Sequence, residues 1–266
     1  MTLEAQARDR FLSEYRQIRY AEGRGSDDPE YYRALPYRDL TNRNSAMWEM
    51  RAKTYRYFER KVLGVMERDT GRPLNILDLG AGNGWMSYRL VLRNHRPVAL
   101  DIFSDPRDGL LAARHYPHSF PLLEGDFGSL PFAPGSFDLA IFNSSFHYST
   151  DYAATLSEVR RCLRPSGAVV ILDSPVYRRR EDGERMASER HREFAARYGF
   201  ASNAIPSIEF LDEPTIAALA RTLKLQWKIW RPWYGWRWQS RPLKARLQRK
   251  RAPSRFWILV GEFAEG

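Results

Sequence analysis

Cysteine is almost absent. Cys162 is the sole one in 266 residues, which excludes an intramolecular disulfide and a thiolate metal cage built by one chain. A reducing compartment, in the simplest case the cytoplasm, is expected. Long apolar runs are missing too: none approaches the roughly 20 residues that a spanning helix needs. The first ten residues (MTLEAQARDR) alternate charges where a secretory leader would be apolar. The expectation is a soluble chain, or one peripheral to a membrane. Histidine is scarce, and His115 and His118 flank Pro117 with no third ligand nearby, so no metal site is expected. The last absence is local. From Thr215 to Gly261 there is no acidic residue, while the same stretch holds 12 Lys and Arg and six of the eight tryptophans. Elsewhere 30 cations face 32 acids, so the formal charge of +10 belongs to this C-terminal segment.

What is present suits a single globular core, with 43% hydrophobic and 28% charged residues. Residues 1–70 read as helices, because Phe11, Tyr15 and Ile18 recur at helical spacing, as do Trp48, Tyr55, Phe58, Val62 and Val65. The polar stretch AEGRGSDDPE separates the two sets. From Leu74 the pattern turns to short apolar runs alternating with amphipathic stretches, the mark of a parallel sheet with helical crossovers. Strands are expected at 74–79, 97–100, 119–123, 137–142 and 168–172, and helices at 84–93, 106–116, 151–163, 184–198 and near 213–222. KLQWKIW (224–230) and RFWILVGEF (255–263) read as two closing strands around a basic insertion.

The strongest local signal is Asp78-Leu79-Gly80-Ala81-Gly82-Asn83-Gly84, which ends the first strand and opens a helix. Glycines there let the backbone turn sharply and approach a ligand, and a helix N-terminus offers unpaired amides to an anionic group. A plain Gly-rich turn is the alternative. Asp101 closes the second strand 21 positions after Gly80, where a carboxylate can accept both hydroxyls of a ribose; it could also merely cap a helix. A dinucleotide site would carry G-x-G-x-x-G, but Trp85 occupies the third glycine's slot.

With G-x-G-x-G preceded by an acid, the chain resembles the class I S-adenosylmethionine-dependent methyltransferases of the small-molecule type, well over Leu74 to Asp173 and loosely over the final strand pair. The resemblance implies that Asp78, Gly80, Ala81, Gly82 and Gly84 hold the methionine end of S-adenosylmethionine, that Asp101 binds the ribose and that Ile102 lies against the adenine. In Gly125-Asp126-Phe127 it implies that Asp126 meets the adenine amino group while Phe127 covers the ring. As residues alone, Asp126 could cap a turn and Phe127 could be a core aromatic. LPF (130–132) and SFDLAIFN (136–143) are similar to the family's fourth strand, and LRPSGAVVIL (163–172) to its fifth, with Ser166 replacing the first glycine of the usual Pro-Gly-Gly. The implied fold is α/β, a doubly wound, mostly parallel seven-stranded sheet with the last strand antiparallel. A helical N-terminal cap (1–70) would cover a Rossmann-like methyltransferase domain (71–266) carrying a basic, aromatic insertion (231–254).

Methyl transfer from a sulfonium is an in-line displacement that needs the nucleophile about 3 Å from the methyl carbon. A base is needed only where the acceptor still holds its proton. The acceptor would enter above the fourth and fifth strands, beside Asn143, Ser144, Ser145, Phe146, His147 and Tyr148, with Tyr177 also on that side. Asn143 is expected on the cofactor's methionine part. His147 and Tyr148 are the candidate catalytic groups, although His147 could instead pack on the next helix. Asn143-Ser144-Ser145-Phe146 lacks the two prolines typical of enzymes that methylate base amines. Cytosine C5 methylation needs a nucleophilic cysteine, and Cys162 falls on a helix. The expected acceptor is a small or lipid-like molecule.

The basic segment has three readings. Trp227 and Trp257 alternate onto the core. Trp233, Trp236 and Trp238, set among Arg and Lys, suit a peripheral membrane contact through 227–257 or a lipid-like acceptor. The same composition would also suit an RNA-binding protein or RNA methyltransferase that stacks bases on its rings.

Overall fold

The computed structural model describes residues 3–264. Helix α1 (Leu3–Ala21) buries Phe11 and Ile18 from one stripe. Asp28 caps the short α2 (Pro29–Ala34) by accepting from the Glu30 amide. Helix α3 (Ser45–Phe58) runs through a π turn at Glu59–Leu63 into α4 (Gly64–Thr70), with Trp48, Tyr55, Phe58, Val62 and Leu63 all buried. These aromatics pack on one face of the sheet, where Trp48 and Tyr55 meet Trp85 edge-on.

The alternating region forms β1 (Asn75–Leu79), α5 (Trp85–Leu92), β2 (Arg96–Asp101), β3 (Leu122–Glu124), β4 (Phe137–Asn143), α6 (Tyr152–Cys162) and β5 (Leu163–Leu172). β4 is buried along its whole length, as expected of a central strand covered on both faces. A short β6 (Pro175–Tyr177) leads to α7 (Arg180–Tyr198), β7 (Leu211–Asp212) and α8 (Glu213–Thr222), whose first turn is capped by Asp212. The chain ends with β8 (Leu225–Trp230), α9 (Trp236–Gln239), α10 (Arg241–Leu247), β9 (Arg255–Phe256) and β10 (Ile258–Phe263).

Seven strands form one sheet in the order β3-β2-β1-β4-β5-β10-β8, with β10 antiparallel to both neighbours and the other pairs parallel, as expected. Strands step outward one way from β1 to β3 and the other way from β4 through β5 to β8, with β10 inserted between the last two. The crevice between the carboxyl ends of β1 and β4 is therefore the switch point at which open sheets bind ligands.

Three local expectations change. The third strand covers only 122–124, because Phe120 turns inward to pack beside Gly84. The helix expected at 106–116 is a turn followed by a single 3-10 stretch, Leu110–His115. There the Asp105 carboxylate accepts from the amides of Arg107 and Asp108, and Gly109 lies too close to the backbone of Phe103 and Asp105 to carry a side chain. The strand expected over 255–263 breaks at buried Trp257: Arg255–Phe256 joins a second sheet, β7-β6-β9, and 258–263 completes the first. That small sheet had no periodic signal, because its strands hold two or three residues.

Candidate active site

Gly80 and Gly82 both adopt left-handed backbone, at φ +71° and +55°. A Cβ on Gly80 would lie 2.3 Å from the Cβ of Ser145, whereas one on Gly82 would meet nothing within 4 Å. The loop is therefore locked from beneath at Gly80 and bare toward the crevice at Gly82. Asp101 fixes its position: one carboxylate oxygen accepts from the Gly82 amide at 2.7 Å and the other from the Phe103 amide at 2.8 Å. Burial pushes the Asp101 carboxyl up, and these two amides oppose the shift.

Around this loop opens a cavity of about 800 Å³. Gly80, Ala81, Gly82, Asp101, Ile102, Asp126, Phe127, Asn143 and Tyr148 all line it, together with Phe11, Tyr15 and Arg19 of α1. Asp126 caps its own turn by accepting from the Gly128 amide, and Phe127 stands edge-on to Phe142. The side-chain oxygen of Asn143 is buried without a partner, an acceptor left open where a ligand donor would fit.

Two expected cofactor residues stand behind this wall and not on it. Gly84 forms the left-handed N-cap of α5 against Phe120. Asp78 is fully buried, accepts from the Ser87 hydroxyl at 2.7 Å and leaves its second oxygen unpaired. Burial pushes its carboxyl up to about 7 against the Ser87 hydrogen bond, with the Asp101 charge adding to the rise.

A second cavity, of about 520 Å³, adjoins the first and shares Phe11, Tyr15, Arg19, Arg51, Ser144, Tyr148 and Ser207 with it. Its further lining combines apolar side chains, from Ile18, Met47, Met50, Phe194, Trp238 and Phe256, with the charged Glu22, Arg24 and Arg190. Four non-glycine residues in left-handed backbone cluster here: Ser144, Asp173 and Ser202 in the wall and Glu209 behind it. Strain of this kind concentrates at working sites.

Two charged residues that sequence reasoning missed meet in this cavity. Arg51, on α3, lines both cavities; its guanidinium lies over the Trp48 ring and makes no hydrogen bond or ion pair among the described residues. Asp173, just past β5, accepts from the Thr54 hydroxyl at 2.6 Å, and its other oxygen makes no hydrogen bond. Burial pushes Asp173 up to about 6, opposed by Thr54 and by the charge of Arg51. No local motif marks either residue.

His147 and Tyr177 fall elsewhere. His147 is buried, lines neither cavity and turns its Nδ1 toward the Ser174 hydroxyl at 3.3 Å. Burial, with Arg190 and Arg51 nearby, pushes its imidazole down to about 3, so it is neutral and a weak proton acceptor. This is packing geometry, not that of a base at the reacting atoms. Tyr177 is buried in the small sheet beneath Arg251. Trp238 also departs from its expected company: it stacks on Phe256 and walls the second cavity, while Trp233 and Trp236 face solvent. Trp227 and Trp257 pack into the core between the sheet and its helices. Cys162 is buried, and burial raises its thiol.

Residues 77–171 match the family model described as a methyltransferase domain, Methyltransf_11. The chain is 35% identical over 100 residues to a malonyl-[acyl-carrier protein] O-methyltransferase of Erwinia pyrifoliae, covering 38% of this chain and 37% of that protein. It is 35% identical over 108 residues to a demethylmenaquinone methyltransferase of Thermus thermophilus, covering 39% and 48%. The alignments thus span less than half the length of these relatives. Among solved structures, a Pyrococcus horikoshii protein superposes with a TM-score of 0.51 at 18% identity, over 88% of this chain and 99% of that one. An S-adenosylmethionine-dependent methyltransferase from Mesorhizobium loti gives 0.50 at 17%, over 71% and 90%. These two show the fold. Residues 77–171 thus carry a methyltransferase domain, similar to those of S-adenosylmethionine-dependent methyltransferases.

Proposed function

We propose that this chain transfers the methyl group of S-adenosylmethionine to a small, lipid-like acceptor, with residues 1–70 as the cap of the site. The observation that carries this is the pair of joined cavities, one built on a bare glycine loop and the other on apolar side chains, meeting at Ser144 and Tyr148. Bound, the cofactor supplies a methyl group on a positively charged sulfur. Gly80, Ala81 and Gly82 approach its methionine end through bare backbone, with Asn143 offering an acceptor and the unpaired Arg51 a partner for the carboxylate. Asp101 takes the ribose, Asp126 the adenine amino group, and Ile102 and Phe127 the faces of the ring. Asp78 and Gly84 support the loop from behind.

On the acceptor side the apolar wall excludes water and orients the molecule, and Tyr148 sits at the junction. Asp173, with one oxygen unpaired, takes the proton of an acceptor that arrives with one. His147 is left as a packing residue. The relatives' names, one for a malonyl group on a carrier protein and one for demethylmenaquinone, support a small or lipid-like acceptor. No helix among the described residues is long and apolar enough to cross a membrane; peripheral contact through 227–257 belongs to the same proposal.

The test is ligand-induced stabilisation. S-adenosylhomocysteine at 100 times its Kd should stabilise the folded protein by about 2.7 kcal/mol, read as a rise in Tm. Gly82→Arg should abolish the rise and cost about 1–2 kcal/mol in the unliganded protein, because the space is open but the left-handed backbone at φ +55° strains any side chain. A nicotinamide dinucleotide that stabilises the wild type where S-adenosylhomocysteine does not would refute the proposal.

A further inference from the structure

Four large apolar side chains of the C-terminal segment lie open to solvent: Trp233 (55%), Trp236 (81%), Leu243 (62%) and Leu247 (77%). Their arrangement follows from the helix that bears three of them. α9 and α10 run on through helical Ser240, whose amide donates to the Trp236 carbonyl and whose carbonyl accepts from the Lys244 amide. At about 100° per residue, Leu243 and Leu247 fall within roughly 20° of Trp236 around the axis. Trp238, Arg241 and Ala245 fall roughly 140–180° away, and these three are half-buried. The inner side meets the protein, where Trp238 walls the second cavity and Arg241 lies over its ring. The outer side is an apolar stripe with nothing on it.

Charge says what covers the stripe. Arg237 and Lys244 lie on one flank of it and Arg246 on the other, with Arg231, Arg249 and Lys250 exposed nearby. None of these six makes an ion pair among the described residues, whereas Arg251 and Arg255 on the inner side are paired with Glu189 and Glu213. An apolar stripe bordered by unpaired cations is the pattern of a helix lying in the interface of an anionic bilayer. Single-stranded RNA fits less well: Trp233 and Trp236 stand edge to face at 88°, so that the edge of one ring covers a face of the other, and two leucines give bases no stacking surface.

We infer that residues 231–250 dock this protein on an anionic lipid surface, with Trp233, Trp236, Leu243 and Leu247 at the depth of the headgroups. Because the same helix walls the second cavity from its inner side, docking holds that cavity at the bilayer; only this last step rests on the proposed methyl transfer. Flotation with vesicles of phosphatidylcholine containing one quarter phosphatidylglycerol tests it on the full chain. Wild type should float with these vesicles, far less with phosphatidylcholine alone, and less in 1 M salt, where the screening length falls to about 3 Å. The triple variant Trp233→Ala, Trp236→Ala, Leu247→Ser should lose roughly tenfold or more in partitioning. Its Tm rise with S-adenosylhomocysteine should stay, since all three side chains are exposed. Equal flotation of the variant, no flotation of the wild type, or a gel shift with single-stranded RNA in place of flotation would each overturn the inference. Flotation without any S-adenosylhomocysteine effect would leave docking intact and remove the proposed transfer.

Discussion

The two cavities are built by different rules. The first is assembled mainly from the tips of β1, β2, β3 and β4 and the loops that follow them, with α1 and residues 204–207 closing it, so a few short segments carry the floor of its shape. The second draws its wall from α1, α3, α7 and the insertion, residues up to about 240 positions apart that only the fold brings together. Backbone geometry makes a site that any acceptable sequence must spell out, with glycine where φ is positive and an acid where amides converge. Side-chain packing makes a site that almost any set of apolar residues could line. A fixed cofactor against a variable acceptor is what such a division would serve.

The most direct way to break the distinction is Gly80→Val. The substitution forces a β-branched residue into left-handed backbone and drives its Cβ into Ser145. S-adenosylhomocysteine affinity should fall roughly a thousandfold or beyond detection, and the strain should cost about 1–3 kcal/mol of stability. Retained binding by calorimetry would mean that side chains, not backbone, make the first cavity.

Each cavity also has a carboxyl pushed up by burial, Asp78 to about 7 behind the first and Asp173 to about 6 in the second. A raised carboxyl favours the folded state below its unfolded value near 4, and that advantage is lost as pH climbs through the folded value. Asp78→Asn keeps a partner for Ser87 and never ionises. Its stability relative to wild type should therefore grow between pH 4 and about 8, by roughly 2–4 kcal/mol for a rise of this size. Urea titrations across that range measure it, and a difference flat with pH would show Asp78 ionising in the fold as freely as in water.

How much was legible follows the same line. The glycine loop, Asp101, the β4 tip and the alternation of strands and helices were readable because each is a local pattern with a local cause, and the resemblance these carry implied the mostly parallel seven-stranded sheet. Arg51, Asp173 and the inward turn of Trp238 were not, because an arginine on a helix or a tryptophan among cations reads the same whether it meets solvent or a cavity. His147 shows the converse: its place in the loop was right, but one residue's rotation aims Tyr148 at the cavity and buries the imidazole against Ser174. Two- and three-residue strands are too short to show a period, so the second sheet and the break at Trp257 stayed hidden.

Between the extremes lie the charged contacts. Asp101→Ala removes a carboxylate that would accept two ribose hydroxyls and that already anchors the Gly82 amide, so affinity for S-adenosylhomocysteine should fall about a hundredfold. Arg51→Met keeps an apolar stem over Trp48 and removes one charge that lines both cavities. A loss of about tenfold is expected there, the size of a single partly exposed charge-assisted bond. An unchanged Kd for Arg51→Met would assign the arginine to the second cavity alone.

The smallest effect is the sharpest on independence. Trp238 touches the second cavity and not the first, resting on Phe256 with Arg241 above it. Truncating it to alanine opens the acceptor wall and strips a half-buried ring from its stack, at a cost of about 1–3 kcal/mol in stability, toward the lower end because the ring is not fully enclosed. The Kd for S-adenosylhomocysteine should stay within about twofold, because sites without shared partners couple by only a few tenths of a kcal/mol. Should the Kd instead rise by tenfold, the insertion would be holding the glycine loop through the shared wall at Tyr148 and Ser144. The two cavities would then have to be treated as one site with a single, packing-dependent shape.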